Sequence, residues 1–299
     1  MKALIGEIRK RGIGEVKEGM SMRELTSFRI GGPFPLLIRP LHEEGLAEIL
    51  DLLCRKGVGM RVLGRGTNLL VDDGGIGEVI IDLSLCSKYI LVEGERVIAG
   101  SGVSIGELLR LCAREGLSGL EGLWGIPGSL GGAIKGNAGS WGFQIGDRVQ
   151  YLVVYGPRGE RRVRGREVLD FAYRKGPLAP GEIVWEIGLG LYRDDPREVA
   201  ERMRGFGEER RRRQPLGFPC AGCIFRNPPS GPPAGYLIEK AGLKGRRRGG
   251  AKVSEIHANF IVNTGGATFS DVMGLIEEVR EEVIRTFGVE LELEVEVWS

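Results

Sequence analysis

The 299-residue chain has no apolar run near the about 20 residues that a membrane-spanning helix needs. Its first segment, MKALIGEIRKRG, has neither an apolar core nor a small-residue cleavage site, so a secretory leader is not expected and a cytoplasmic location is. Charge of one sign is missing too. With 42 Lys and Arg against 40 Asp and Glu, the net charge of +2 gives no electrostatic case for a nucleic-acid or membrane-surface partner. Cysteine is scarce, at five, an odd number with scattered spacing. That excludes a disulfide framework and fits a reducing compartment. What remains is the composition of an ordinary globular protein, long enough for one large domain or two to three smaller ones.

Glycine is the exception. There are 50, well above the usual roughly 7%. Gly loses more backbone entropy on folding than any other residue and packs nothing, so a cluster needs a reason. The densest stretch, GLWGIPGSLGGAIKGNAG (residues 122–139), holds seven glycines and one charge, Lys135. Two further loops are alike: LGRGTNLL (63–70) and GSGVS (100–104). Neither has the spacing of the dinucleotide fingerprint or the Lys-Ser/Thr of a P-loop. Each alone reads as a plain turn. Together, without catalytic side chains, they suggest a large, flat, diphosphate-bearing ligand lying against backbone.

The rest of the chain mixes helices and strands without regular alternation, which predicts an α+β fold. Residues 41–57 place Leu46, Ile49, Leu50 and Leu53 on one helical face, with Gly57 as the stop. Residues 104–116 open on Ser104 with Glu107 three positions on, a capping box. Helices are also expected over 194–215, with Asp195 as N-cap and Pro196 in the first turn, and over 234–245 and 270–287. Strands are expected over 60–64, 78–84, 96–102, 149–156, 160–164, 182–192 and 258–263, with a loop over 64–75. Residues 289–298 alternate strictly: Glu290, Glu292, Glu294 and Glu296 on one face, Leu291, Leu293, Val295 and Val297 on the other.

Three clusters carry chemistry weakly by themselves. Cys220 and Cys223 form a Cys-x-x-Cys, but without a second pair or a nearby His this is poor support for zinc. A buried structural thiol is the bland reading. The basic run Arg210–Arg213 reads as a solvated helix end near a favourable dipole. Lys244 and Arg246–Arg248 could serve a diphosphate.

The motifs TSFRIGG, LGRGTNLL, GSGVSIGELLRLCAREGLSGLEGLWGIPGSLGGAIKGNAG, FAYRKG, GCIFRNP, AGYLIEKAGLKG, GGAKVSEIHANFIVN and FGVELELEVEV occur here in this order, from about Thr26 to Val297. In that order they resemble the UDP-N-acetylenolpyruvoylglucosamine reductase (MurB) family. The resemblance implies a PCMH-type, vanillyl-alcohol-oxidase-like flavin domain of two subdomains, over 1–85 and 86–194. A C-terminal α+β substrate domain would follow over 195–299, its last strand returning toward the flavin. The short spacing between FAYRKG and GCIFRNP looks like the subtype lacking the loop that closes over substrate.

The implied activity is NADPH-dependent reduction of UDP-N-acetylglucosamine enolpyruvate to UDP-N-acetylmuramate through bound FAD, in peptidoglycan precursor synthesis. The flavin would be non-covalent, because neither His42 nor His257 lies in a glycine cluster. The resemblance implies FAD contacts from Gly64, Arg65, Gly66, Thr67, Asn68 and Leu69, and from Gly102. It implies further ones from Gly125, Ile126, Pro127, Gly128, Ser129, Gly131, Gly132, Ala133, Asn137, Ala138 and Gly139. Tyr173, Asn227, Lys244, His257 and Asn259 would contact substrate. Arg174 would hold the enolpyruvyl carboxylate, Cys223 would stand where most members have a proton-donating Ser, and Glu294 would assist it. Gly176 departs from the Ser common at its position. No metal, nucleic acid, membrane or obligate protein partner is expected. Another FAD oxidoreductase on this fold, or an inactive nucleotide-binding relative, is the alternative.

Overall fold

A computed structural model describes residues 1–299. The chain opens with α1 (Lys2–Arg11), β1 (Gly14–Lys17), β2 (Leu37–Pro40), α2 (Glu43–Arg55), β3 (Met60–Leu63), β4 (Leu69–Val71) and β5 (Val79–Asp82). It continues with β6 (Ile90–Glu93), β7 (Arg96–Gly100), α3 (Ile105–Glu115), β8 (Leu117–Ser118), α4 (Leu130–Lys135), β9 (Gly139–Ser140) and β10 (Phe143–Gln144). Next come β11 (Val149–Tyr155), β12 (Arg161–Gly165), β13 (Ile183–Gly190), β14 (Tyr192–Arg193) and α5 (Pro196–Arg213). The last part holds α6 (Ala234–Lys240), β15 (Arg247–Arg248), β16 (Ala251–Val253), β17 (Ile261–Asn263), α7 (Phe269–Phe287) and β18 (Glu296–Trp298). No helix is long and apolar enough to cross a membrane.

The chain divides into two compact units. The first comprises Met1–Glu18, Pro35–Arg65 and Gly77–Glu208; the second comprises Gly19–Phe34, Gly66–Ile76 and Glu209–Ser299. These limits cut the chain at places other than residues 85 and 194. Segments 19–34 and 66–76 group with the C-terminal residues, and the first part of α5 groups with the N-terminal ones.

In the first unit, a four-stranded sheet runs β1-β2-β5-β3, with β2, β5 and β3 mutually parallel and β1 antiparallel to β2. A five-stranded antiparallel sheet runs β12-β11-β13-β7-β6. Helix α2 lays Leu46, Ile49, Leu50, Leu52 and Leu53 into the core of the first sheet. Each such side chain contributes about 1.5–3 kcal/mol on burial. Helix α3 carries the expected capping box, in which the Ser104 hydroxyl accepts from the Glu107 N–H and the Glu107 carboxylate accepts from the Ser104 N–H. Gly116 ends it in the left-handed region, at φ 62°. Its apolar face, Ile105, Leu108, Leu109 and Cys112, packs in the core of the second sheet.

The second unit is built around α7. Val272, Leu275, Ile276, Val279 and Val283 form its buried face, against α6, the three-stranded β15-β16-β17 sheet and Phe28, Ile30 and Leu70. Here the final segment differs from strict alternation. Leu291 and Val295 are buried, but so is Trp298, which shares parity with the glutamates. Only Glu296–Trp298 forms a ladder, parallel to β4. Thus the second half of LGRGTNLL is a buried strand rather than a loop, because Leu69, Leu70 and Val71 supply the partner for β18.

Candidate active site

In the first unit the glycine loops meet. Leu130 N–H donates to the Val103 carbonyl (2.8 Å), Gly131 N–H to the Ser101 carbonyl (2.9 Å) and Ile105 N–H to the Gly128 carbonyl (3.1 Å). Loop 100–104 and stretch 128–131 are therefore laced together. Gly64 joins them: a Cβ there would lie 2.5 Å from the Ser129 hydroxyl. That hydroxyl caps α4 by accepting from the Gly132 N–H. The short helix α4 sits inside the glycine stretch, where a loop was expected, because Ser129 caps it and Leu130, Ala133 and Ile134 bury one face.

The reason for glycine differs from position to position. At Gly102 a side chain would strike the Cys86 and Leu83 carbonyls, and at Gly122 the Phe143 ring. These are close protein approaches. Gly125 and Gly128, at φ 83° and 144°, adopt backbone that L side chains rarely take. Gly125, Pro127 and Gly132 are exposed, so this edge of the loop is the one open to a ligand. The N–H groups of Ile126, Gly131, Ala133, Asn137 and Ala138 already donate to protein carbonyls.

Asn137 is 3% exposed, at φ 42°. Its amide donates to Gln144 (2.8 Å) and to the Ala172 carbonyl (2.9 Å), and its oxygen accepts from the Gly146 N–H (3.1 Å). Its side chain pins loops, which leaves only its carbonyl for a cofactor. The Ala172 end of that network is a tight hairpin: Ala172 and Lys175 exchange both backbone hydrogen bonds around Tyr173 and Arg174. Arg174 adopts φ 54°, rare for a long side chain, and its guanidinium donates to the Gly139 carbonyl (3.1 Å). Gly176 lies directly on the end of α4. Its N–H donates to the Lys135 carbonyl, and a Cβ would overlap the Ile134 carbonyl. The serine expected from the family does not fit this backbone.

Glu121, at the head of the stretch, is 2% exposed. Burial alone would raise its carboxyl, but the Gly119 N–H and Arg202 outweigh that and hold it below the usual carboxylate range. The Arg202 guanidinium donates to it at 2.8 Å, tying α5 to the stretch.

In the second unit, three segments lie side by side. Cys223 bridges to Phe260, and Ile224 N–H donates to the Asn259 carbonyl (2.9 Å). On the other side Glu294 N–H donates to the Ile224 carbonyl (2.8 Å), and Phe225 bridges to Leu293. The structure thus brings Cys223 and Glu294 onto adjoining segments. Asn259, 3% exposed, grips the middle one: its oxygen accepts from the Phe225 N–H (2.9 Å) and its amide donates to the Phe225 carbonyl (2.8 Å). It acts as a pin, with its side chain turned to protein rather than outward. The Asn68 amide likewise donates to the Glu294 carbonyl (3.0 Å).

Asn227 accepts from the Ala234 N–H at the start of α6 (3.1 Å), where Gly235 leaves room for the His257 ring. His257 Nδ1 accepts from the Asn259 N–H (3.2 Å), and burial pushes its pKa below the ordinary value. Lys244 pairs with Glu239 (2.7 Å), and Arg246 and Arg248 with Glu278. Lys244, Arg246 and Arg248 are thus each held by a carboxylate, which weakens their case as a diphosphate site.

Two residues were not singled out by sequence. Ser27 donates its hydroxyl to the Cys220 carbonyl (2.7 Å) and its N–H to the Gly66 carbonyl (3.0 Å), so TSFRIGG fastens both loops. Arg210 was expected in a solvated helix end, yet it is 5% exposed, unlike Arg211–Arg213. Its place on the inner side of α5 is the reason, and a run of four arginines hides it.

Comparison with known proteins gives two family matches: residues 214–298 match the C-terminal domain of UDP-N-acetylenolpyruvoylglucosamine reductase, and residues 34–163 match the FAD binding domain family. The UDP-N-acetylenolpyruvoylglucosamine reductase of Geobacter sulfurreducens is 42% identical over 96% of this chain and 95% of its own. That of Heliobacterium modesticaldum is 45% identical over 95% and 91%. The crystal structure of the enzyme from Thermus caldophilus aligns over 96% of this chain and 99% of its own, with a TM-score of 0.82 and 38% identity. Berberine bridge enzyme shares the fold alone, with a TM-score of 0.52 at 19% identity over 64% of this chain and 43% of its own.

Proposed function

The chain belongs to the UDP-N-acetylenolpyruvoylglucosamine reductase family, and from that premise we propose that it reduces UDP-N-acetylglucosamine enolpyruvate to UDP-N-acetylmuramate with NADPH. Its fold is α+β, with a PCMH-type FAD domain and a C-terminal α+β domain. The reaction places it in peptidoglycan precursor synthesis, in the cytoplasm, upstream of cell shape and division.

The glycine loops fit FAD. Gly64 packs on Ser129 with no room for a side chain between them, and the exposed Gly125–Gly128 edge offers backbone rather than charge. FAD would be held non-covalently along Gly64–Leu69, Gly102 and the outer edge of residues 125–139. When bound and reduced by NADPH, FAD supplies the hydride. A functional division into 1–85, 86–194 and 195–299 runs close to three hydrophobic clusters: one over Leu4–Cys86 with part of β11 and β13, one over Val97–Met203, and one around α7 that also takes in Phe28, Ile30 and Leu70.

The chain's own residues do the rest. Arg174 holds the enolpyruvyl carboxylate through parallel hydrogen bonds and stabilises the negative charge that grows there. Tyr173, Asn227, Lys244, His257 and Asn259 line or support the substrate side. Cys223 gives its Sγ proton to the α-carbon. A thiol with an ordinary pKa of about 8.5 is mostly protonated at neutral pH and is a far stronger acid than a serine hydroxyl. Glu294 assists that transfer. The short spacing between Arg174 and Cys223 supports the subtype without the closing loop.

The observation that carries this reading is the alignment of the Cys223 and Glu294 segments through Ile224. Its test is an anaerobic visible spectrum. NADPH should bleach a flavin band, and the enolpyruvyl substrate should restore it. Cys223→Ser should keep both steps, whereas Cys223→Ala should keep the bleaching and lose the return. Full turnover in the Ala variant would remove Cys223 from the mechanism.

A further inference from the structure

The Cys-x-x-Cys is not accounted for by proton donation, which uses one thiol. All five cysteines are unbridged in this structure, and no cluster of His, Cys, Asp and Glu is arranged to hold a metal. Cys220 and Cys223 are both half-buried, while Cys86 and Cys112 are buried and distant in sequence. The chain bends at Gly222, which stands at φ 80° with open space where a Cβ would be. A φ near +80° is the one that the third residue of a type II turn adopts, and the end Cα atoms of such a turn lie within about 7 Å, the range that a disulfide spans. The two ends are held differently. Cys223 is fixed on its segment by the bridge to Phe260 and the Ile224–Asn259 hydrogen bond. Cys220 is anchored through its carbonyl by Ser27.

We propose that Cys220 and Cys223 are a redox modification site: a hydroperoxide joins them in a reversible disulfide, and the enzyme loses its proton donor while the bond lasts. This rests on the assignment of Cys223 given above. In the first step the Cys223 thiolate attacks a peroxide oxygen; the O–O bond breaks, the sulfur becomes a sulfenic acid and an alcohol or water leaves. In the second, the Cys220 sulfur attacks the sulfenic sulfur, the S–S bond forms and water leaves. Two thiols are oxidised by two electrons and one hydroperoxide is reduced.

The surroundings favour Cys223 as the attacking sulfur. Burial pushes the Cys220 thiol up, with the Gly222 N–H only partly offsetting it. The buried Arg210 guanidinium lies within the electrostatic reach of Cys223. Burial lowers Arg210 to about 10, and the sulfur's negative form pulls it back up. Arg210 thus stays a cation at neutral pH within reach of the Cys223 sulfur. Cys220 is then the resolving residue, sheltered until the sulfenic acid forms.

The test is mass spectrometry and turnover on the FAD-loaded enzyme exposed to hydrogen peroxide. The expected result is that the tryptic peptide 214–226 becomes lighter by two hydrogens. Turnover should fall to background while NADPH still bleaches the flavin, and dithiothreitol should restore both. Cys220→Ser should keep basal turnover. In excess peroxide, however, it should pass to the sulfinic acid, which dithiothreitol does not reverse. A wild-type peptide that gains oxygen and never loses two hydrogens would overturn this inference and leave the proton-donor assignment standing. A quantitative disulfide with turnover intact would overturn both.

Discussion

Single amides decide more of this site than single charges do. Asn137, Asn227 and Asn259 are expected as ligand contacts only because the family resemblance implies it. In the structure the Asn137 side chain holds the Gly146 N–H and the Ala172 carbonyl, and that of Asn259 holds both backbone groups of Phe225. Asn259→Ala would leave both the N–H and the carbonyl of Phe225 unpaired, at about 1–3 kcal/mol each. The expected outcome is a loss of stability of that order in denaturant titration, with a lower rate of flavin reoxidation by substrate and unchanged bleaching by NADPH. Gly176 argues the opposite way. The family pattern suggests a serine, but Gly176→Ser would press its Cβ on the Ile134 carbonyl and displace the Arg174 hairpin. We expect it to raise KM for the enolpyruvyl substrate and to lower stability rather than to improve the enzyme. Restored or enhanced kcat/KM would show that the hairpin yields without loss. Arg174, Cys223 and Glu294 are proposed only through the ordered motifs; no spacing rule marks a strained arginine or a thiol on an irregular segment. Arg210 was illegible because four consecutive arginines give no sign of which one turns inward.

At the scale of elements, local signals were faithful where the local chain decides. The Ser104 box and the Gly57 and Gly116 stops rest on interactions within one or two turns, and the α7 stripe shows its period over several turns of one helix. They failed where a distant partner decides. β4 reads as loop until β18 is placed beside it, and strict alternation in 289–298 gives way at Trp298 for the same reason. α1, β1, β2 and β6 are short elements whose apolar residues are too few to show a period. α4 is a further case, and it supports a test. Its cap, Ser129, is the group that Gly64 approaches. Gly64→Ala would push the hydroxyl off the Gly132 N–H, so its effect and that of Ser129→Ala should share one cause. Each should destabilise by about 1 kcal/mol through the lost cap and weaken FAD retention. The double variant should fall short of the sum, as residues in contact do. Strict additivity in FAD affinity would mean that the two loops act independently.

For the whole molecule, the α+β class was legible because it needs only the inventory of elements. The grouping into two units was not, because 19–34 and 66–76 leave the segment that surrounds them in sequence, and periodicity carries no record of such crossings. The response to acid is a property at this scale. Glu107, Glu121, Asp271 and Glu278 are held below the usual carboxylate range by hydrogen bonds and by Arg partners, so their contributions are whole above the ordinary values, about 4.5 for Glu and 3.8 for Asp, and are lost as pH falls from there. His257 responds earlier. Burial lowers its pKa first, and Lys244 and Arg213 act in the same direction against Glu239. Its Nδ1 must also stay unprotonated to accept the Asn259 N–H. Since the folded value lies below the unfolded one of about 6.5, the unfolded state takes up the proton first. The stability linked to neutral His257 is therefore whole above pH 6.5 and drains away as pH falls from there through the folded value. The Asn259 pin on the Cys223 segment should loosen over the same range. We expect the denaturation midpoint and the rate of substrate-driven flavin reoxidation to decline together between pH 7 and 5, and His257→Gln to flatten both declines. Equal declines in the two proteins would assign the acid response to other groups and leave His257 with packing alone.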